Sequence, residues 1–327
     1  MDLKRGGLSE YEIIKLFQKL PYPPSSSLPS GDDAWSFYID ESKKYMILSI
    51  DMLVSSTDVP PSMSLRQASR KAIVMTVSDL ASKGASPHAF LLSIGLDRPE
   101  RGIVKEIIAG VEDALQEYGG YIAGGDVNRT AELIIDVAGL GFSSSPPLPR
   151  DLGDVGDFVC VTGPFGYTYI GLKLLLNKIK LTSVDATPFV DAVLLPKARL
   201  KEGLLLASSN LLKGMTDSSD GLVASLYNMS QKSGKGVILE TLPLPELVEV
   251  ACRELNISPI DAVCYGGEEY ELIFVVAKDY WEEFRRYCES HKIRVLKIGY
   301  VVDTPGVWFK YQEKVRKLPF RGWQHFT

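Results

Sequence analysis

Histidine is scarce in this chain. Of its 327 residues only His88, His291 and His325 are histidines, and none stands at HExxH or other metal-ligand spacing. Cysteine is equally thin: Cys160, Cys252, Cys264 and Cys288 lie far apart with no CxxC pair. That spacing argues against a zinc or disulfide framework and predicts reduced, buried thiols in a cytoplasmic protein. No apolar run approaches the roughly 20 residues of a membrane span, and the opening MDLKRGGLSEYE carries no apolar signal segment or lipidation motif. Basic excess is missing too; a net charge of −5 argues against nucleic acid as the main partner. Walker, kinase-type glycine and dinucleotide GxGxxG loops are absent, as is a G-x-S-x-G elbow.

What the chain does have is acid beside glycine and at the ends of apolar runs. The motifs are Gly31-Asp32-Asp33, Ser49-Ile50-Asp51, Ser78-Asp79, Gly124-Gly125-Asp126, Asp217-Ser218-Ser219-Asp220 and Gly266-Gly267-Glu268-Glu269. Each has an ordinary explanation on its own. Gly31-Asp32-Asp33 suits a turn, Gly124-Gly125-Asp126 after a strand a tight turn, Asp217 to Gly221 a helix N-cap, and Glu268-Glu269 a polar strand lead-in. Ser78-Asp79 is harder to dismiss, because an unpaired carboxylate inside the apolar stretch Ile73 to Leu80 is costly. If the acids converge, their repulsion must be offset by hard cations, and all-oxygen sites of that kind suit Mg²⁺. Mg²⁺ is in turn usually held by a few carboxylates plus substrate phosphates. A nucleotide-using enzyme follows as the first expectation.

Length predicts about two domains, and 45% hydrophobic with 24% charged residues is ordinary for a soluble globular protein. Ser9 with Glu12 predicts a capping box opening a helix to about Leu20. Strands are predicted at Tyr45–Ile50, Ala89–Leu96, Leu133–Phe142, Asp157–Thr162, Val237–Leu239, Tyr270–Ala277, Ile293–Ile298 and Val307–Tyr311. Helical periodicity covers Leu65 to Lys83, with Gly84 as its cap, and recurs around Ile107–Leu115, Leu172–Leu176, Leu200–Leu212, from Leu222, and Tyr280–Glu289. The Pro/Ser-rich Ser143 to Pro149 reads as a stiff linker, so the expected domains are 1–145 and 146–327. Strands and helices alternate irregularly in both halves, which predicts α+β, mixed α/β, domains with partly antiparallel sheets.

Taken in order, the motifs resemble the thiamine-monophosphate kinases, of the superfamily that includes aminoimidazole ribonucleotide synthetase. The similarity runs from about residue 9 to the C-terminus. It is densest over Lys71-Ala72, Ser78 to Pro87 and Phe90 to Ser93, in Gly266-Gly267-Glu268-Glu269-Tyr270-Glu271-Leu272, and in the terminal Gly322-Trp323-Gln324-His325-Phe326. The resemblance implies a two-domain aminoimidazole ribonucleotide synthetase-like fold whose N-terminal domain, with a largely antiparallel sheet, forms a homodimer. It implies ATP- and Mg²⁺-dependent conversion of thiamine monophosphate to thiamine diphosphate by direct in-line transfer. Asp33, Ser49, Ile50 (through its carbonyl), Asp51, Asp79, Asp126, Asp217 and Asp220 would hold several Mg²⁺ ions. Gly125, Asp126, Arg150 and Ser219 would contact ATP, and Asp58, Glu268 and Trp323 the thiamine substrate, Trp323 as an aromatic surface for its cationic ring. No protein base is implied. Position 58 is usually histidine in that family, Ile50 replaces a threonine and Glu269 an aspartate. The competing expectations are another ATP-using enzyme of the superfamily with a different acceptor, or a non-catalytic Mg-nucleotide-binding protein.

Overall fold

The computed structural model describes residues 9–321. The first half runs α1 (Glu10–Phe17), β1 (Trp35–Ile39), β2 (Lys44–Val54), α2 (Ser55–Asp58), α3 (Leu65–Ser82), β3 (Ser86–Leu96), α4 (Arg101–Tyr118), β4 (Tyr121–Arg129) and β5 (Ile134–Ser143). Its strands form one sheet ordered β1-β2-β5-β3-β4, antiparallel except for β3–β4. That one parallel pair has a physical cause: α4 carries the chain back across the sheet before β4 begins, as a parallel connection requires. Ile47, Leu53, Phe90, Leu92, Ile135 and Val137 alternate onto one face and pack beneath α3. The opposite face leaves Leu48, Ile50, Met52 and Leu91 exposed.

The second half contains β6 (Phe158–Val161), α5 (Tyr167–Asn177), α6 (Thr187–Leu194), α7 (Leu200–Ser208), β7 (Leu212–Asp217), α8 (Leu222–Ser233), β8 (Gly236–Leu239), α9 (Glu246–Leu255) and α10 (Pro259–Tyr265). It ends with β9 (Leu272–Val276), α11 (Trp281–His291), β10 (Leu296–Val302), β11 (Gly306–Tyr311) and β12 (Lys314–Lys317). The sheet order is β12-β11-β8-β10-β6-β9-β7, with β8–β11 its one parallel pair. β9, the run Leu-Ile-Phe-Val-Val, is buried along its whole length, consistent with a strand covered on both faces. No described helix is long and apolar enough to cross a membrane.

The α1 capping box is present, Ser9 and Glu12 each accepting from the other's backbone, although the helix ends at Phe17. Gly84 follows α3 at φ +68°, the left-handed geometry expected of a glycine cap. Three readings are corrected. β2 does not stop at Ile50 but runs through Asp51 to Val54, because Asp51 turns inward while Ile50 and Met52 face outward. Gly124-Gly125-Asp126 lies within β4 rather than after a strand. Leu212 opens β7, since α7 ends at Ser208. Six further elements, β1, α2, α6, α9, α10 and β12, are not legible as periodic runs.

The halves interlock through backbone contact as well as side chains. Tyr270, from the segment before β9, is buried in the first-half core. α7 crosses α3 where Gly203 meets Ala81: a Cβ at Gly203 would stand 2.2 Å from the Ala81 carbonyl oxygen. Gly→Ala within a helix normally stabilises by about 1 kcal/mol, but here a rigid carbonyl blocks the methyl. Gly203→Ala should therefore destabilise, by about 1–3 kcal/mol, read as a lower urea midpoint. A variant as stable as the parent would show that α7 is free to lift from α3.

Candidate active site

The acids gather along this seam, each delivered by a different element. Asp33 comes from the loop before β1, Asp79 from the penultimate turn of α3, and Asp217 from the end of β7. Carboxylate oxygens of these three lie within 4.8 Å of one another. Asp51, on β2, shares the inward row of Val137 and Leu92. Ser78 explains why Ser-Asp interrupts an apolar helix: its Oγ donates to Asp217 Oδ2 at 2.5 Å, tying α3 to β7. Ser49 Oγ donates to Asp79 and also lies 3.3 Å from the Asp33 carbonyl.

Burial and mutual repulsion dominate the electrostatics. Burial pushes Asp51 up to about 6, aided by Asp220 and opposed by a Thr76 hydrogen bond. Asp217 rises to about 6 for the same leading reason, with Asp51 adding to it and Ser78, Arg150 and Lys83 resisting. Burial lifts Asp79 well above the ordinary carboxylate range, and Asp51 and Asp217 raise it further. Opposite these acids stands a basic group that sequence reasoning missed except for Arg150. Lys83 Nζ lies 2.7 Å from both Asp32 and Asp33 and donates to the Met215 carbonyl. Arg150 pairs with Asp33, and its backbone N–H donates to Asp32. Lys232, from α8, reaches Asp32 at 3.2 Å. Burial alone would raise Asp32; Lys83 and Lys232 outweigh it and hold the carboxyl below its ordinary value. A lysine following the helical stretch Leu65–Ser82 was the available signal, but only the fold shows that Lys83 points inward.

The remaining expected residues divide. Ser219 and Glu268 meet through backbone: Glu268 N–H donates to the Ser219 carbonyl at 2.5 Å, and Tyr270 N–H to that of Ser218 at 3.0 Å. Two motifs about fifty residues apart thus become one surface at the N-terminus of α8, where amide dipoles favour anions. Glu268 and Tyr270 hold φ of +63° and +52°, unfavourable for non-glycine residues. Glu269, predicted with them as a lead-in, caps α5 instead, accepting from Gly166 N–H, Thr168 N–H and Thr168 Oγ1. Asp58 turns its carboxylate onto Val54 N–H at 2.7 Å, so that group is engaged in the turn after β2. Trp323 lies outside the described residues.

Asp126 and Gly125 stand apart from the other acids within one chain. The row through Asp126 runs Ser93, Asp136 and Met52, three strands across and on the outward face. At about 4.8 Å per strand, that is roughly 14 Å of sheet between Asp126 and β2. Gly125 sits in the inward row, where a Cβ would come within 2.0 Å of the Leu92 carbonyl; only glycine allows that approach.

The donor set suits a hard cation. All candidate ligands are oxygen, and Asp51 Oδ2 and Ser218 Oγ are buried without a hydrogen-bond partner. Because their folded values exceed the ordinary ones, Asp51 and Asp217 favour the metal-free fold when protonated, and that benefit is lost as pH rises through about 6. Cation binding requires the deprotonated forms. Added Mg²⁺ should therefore raise the melting temperature most near pH 7.5, and the increment should shrink as pH falls through 6, read by scanning fluorimetry. An Mg²⁺ effect independent of pH between 5 and 8 would count against these acids as ligands.

Comparison with known proteins identifies the family. Residues 31–143 match the AIR synthase related protein N-terminal domain, and residues 154–311 its C-terminal domain. The chain is 34% identical to the thiamine-monophosphate kinase of Nitrosopumilus maritimus over 321 residues, 98% of this chain and 99% of that protein. It is 33% identical to that of Pyrococcus horikoshii, covering 97% and 96%. The solved structure of AaThiL complexed with AMPPCP and TMP superposes with a TM-score of 0.84 at 27% identity, covering 100% and 99% of the two chains. The chain belongs to the AIR synthase related family and, within it, to the thiamine-monophosphate kinases.

Proposed function

We propose that this chain transfers the γ-phosphoryl group of ATP to the phosphate of thiamine monophosphate, giving thiamine diphosphate and ADP. The observation that carries the reading is the buried set Asp33, Asp51, Asp79 and Asp217, of which, among the described residues, Asp33 alone is ion-paired, by Lys83 and Arg150, so that the others need a cationic, phosphate-bearing counterpart. Membership of the family supports the acceptor, as does the AaThiL complex with TMP. An acceptor phosphate oxygen attacks the γ-phosphorus while the bond to the β,γ-bridging oxygen breaks, and ADP leaves. The acceptor is already anionic near neutral pH, so no protein base is required. Mg²⁺ held by these aspartates, with Ser49, the Ile50 carbonyl and Asp220, would neutralise charge on the phosphates. Arg150 and Ser219 would orient the nucleotide at the N-terminus of α8, with the amides there facing its phosphates. Glu268 and Trp323 would take the thiamine moiety. Asp58 belongs at that end through its carbonyl rather than its carboxylate, which is engaged elsewhere.

The reading includes two domains, 1–145 and 146–327, a cytoplasmic location in keeping with four free, buried cysteines, and a homodimer formed by the first sheet. The bare face carrying Leu48, Ile50, Met52 and Leu91 supports the dimer. Asp126 lies on that face, and a groove of about 450 Å³ lined by Asp33, Ser49, Ile50 and Ala138 opens beside the acids. A twofold interface brings the same face to itself, so the partner subunit's Asp126 would complete the metal shell and Gly125 would follow it toward ATP.

Purified protein with ATP, Mg²⁺ and thiamine monophosphate should form thiamine diphosphate and ADP, resolved by chromatography. Asp51→Asn or Asp217→Asn should lower kcat about 100-fold or more, a few kcal/mol of lost charge stabilisation. No diphosphate, with ATP still bound, would favour a different acceptor. Asp51→Asn and Asp126→Asn proteins, each inactive alone, should on mixing regain about a quarter of parental activity, because half the dimers would carry one intact site. No recovery from a verified heterodimer would place Asp126 in service of its own chain.

A further inference from the structure

Lys71 is a fully buried cation to which the reaction above gives no role. It lies on α3 among Ala68, Ala72, Ile73 and Val74, and its side chain has no exposure. An ammonium removed from water is costly unless it is paired, so its partners matter. Nζ donates to the Asp58 carbonyl at 2.7 Å and forms an ion pair with Glu268 Oε1. One partner belongs to the first half of the chain and the other to the second. Glu268 itself holds left-handed backbone at φ +63°, fixed by its N–H bond to Ser219, and its side chain remains 36% exposed. Glu268, Asp51, Asp217 and Asp58 all surround the buried Tyr270, where they add to the effect of burial in raising its hydroxyl. The Lys71 pair therefore sits one tyrosine away from the acids of the phosphate end, in a field dominated by negative charge.

We propose that Lys71 is a positioning residue for the acceptor: anchored on the Asp58 carbonyl, its ammonium fixes the direction of the Glu268 side chain, so that the open part of the carboxylate meets the thiamine moiety. This rests on the reading of the site given above. Without Lys71, the partly exposed Glu268 side chain would lose its ion-pair partner and its direction, and the acceptor its partner, while the nucleotide end kept Arg150, Ser219 and the α8 N-terminus. Asp58 contributes through its carbonyl, which anchors Nζ while its carboxylate holds the turn after β2. The ammonium needs both contacts, since a flexible four-carbon stem has no fixed direction of its own.

The test is steady-state kinetics of Lys71→Met beside the parent, varying each substrate in turn. Parent turnover is established first, so failure of the functional reading is a parent that forms no thiamine diphosphate. With an active parent, Lys71→Met should raise KM for thiamine monophosphate at least tenfold, leaving KM for ATP and kcat within about threefold. The double variant Lys71→Met/Glu268→Gln should be no worse than Glu268→Gln alone, because the lysine acts through that glutamate. An unchanged acceptor KM, or equal losses toward both substrates, overturns the proposal. Should Lys71→Met not fold, Lys71→Arg keeps the charge but not the compact ammonium geometry. It should raise the acceptor KM selectively, and parental kinetics in that variant would equally overturn the assignment.

Discussion

Like charge held together out of water is the constraint on which this protein is organised. Asp51 and Asp217 raise Asp79, and Asp51 raises Asp217, in a buried seam to which no single element of the fold could bring all three. β2, α3 and β7 each supply one carboxylate, so the two halves must be in register for the site to exist. The stabilising contacts along the seam are correspondingly specific. Ser78 ties α3 to Asp217, and Gly203 lets α7 rest directly on the α3 backbone.

Compensation is distributed asymmetrically. At the Asp32–Asp33 end, Lys83, Arg150 and Lys232 supply three cations. At the Glu268 end, Lys71 is the cation paired across the seam. Between them Asp51 and Asp79 lack an ion pair among the described residues. Burial favours their protonated forms, that of Asp51 below about pH 6, and metal bound with phosphate would neutralise them when ionised. That division accounts for a site with no histidine among the described residues: chemistry in which the acceptor is already an anion calls for charge compensation and alignment rather than proton transfer.

Much of the fold was legible because burial imposes period. Ala68, Ala72, Val74, Met75 and Leu80 recur at roughly helical spacing in Leu65–Ser82, and its capping glycine sits where the left-handed turn needs it. Readings failed where one face is apolar for a reason outside the chain's own core. Ile50 and Met52 face outward, and nothing in the string distinguishes them from the inward Ile47 and Leu53, so the end of β2 could not be placed. Gly124-Gly125-Asp126 looked like a turn because glycine usually marks one, whereas Gly125 is there to admit the Leu92 carbonyl within a strand. The acidic motifs were all visible, but the inward roles of Lys71 and Lys83 were not, since a lysine within or just after a helix reads as a solvated face until its direction is known.

The sequence by itself determined which acids are present, in what order, and which family they resemble, because motif chemistry is local and survives in a string. Tertiary structure decided their grouping. Asp33, Asp79 and Asp217 meet across nearly two hundred residues, while Asp126 lies three strands away on the other face. It also decided which lysines turn inward and that Asp58 supports its own turn. The physical reason is that convergence depends on strand order and side-chain direction, which are set only when both sheets have packed on their helices.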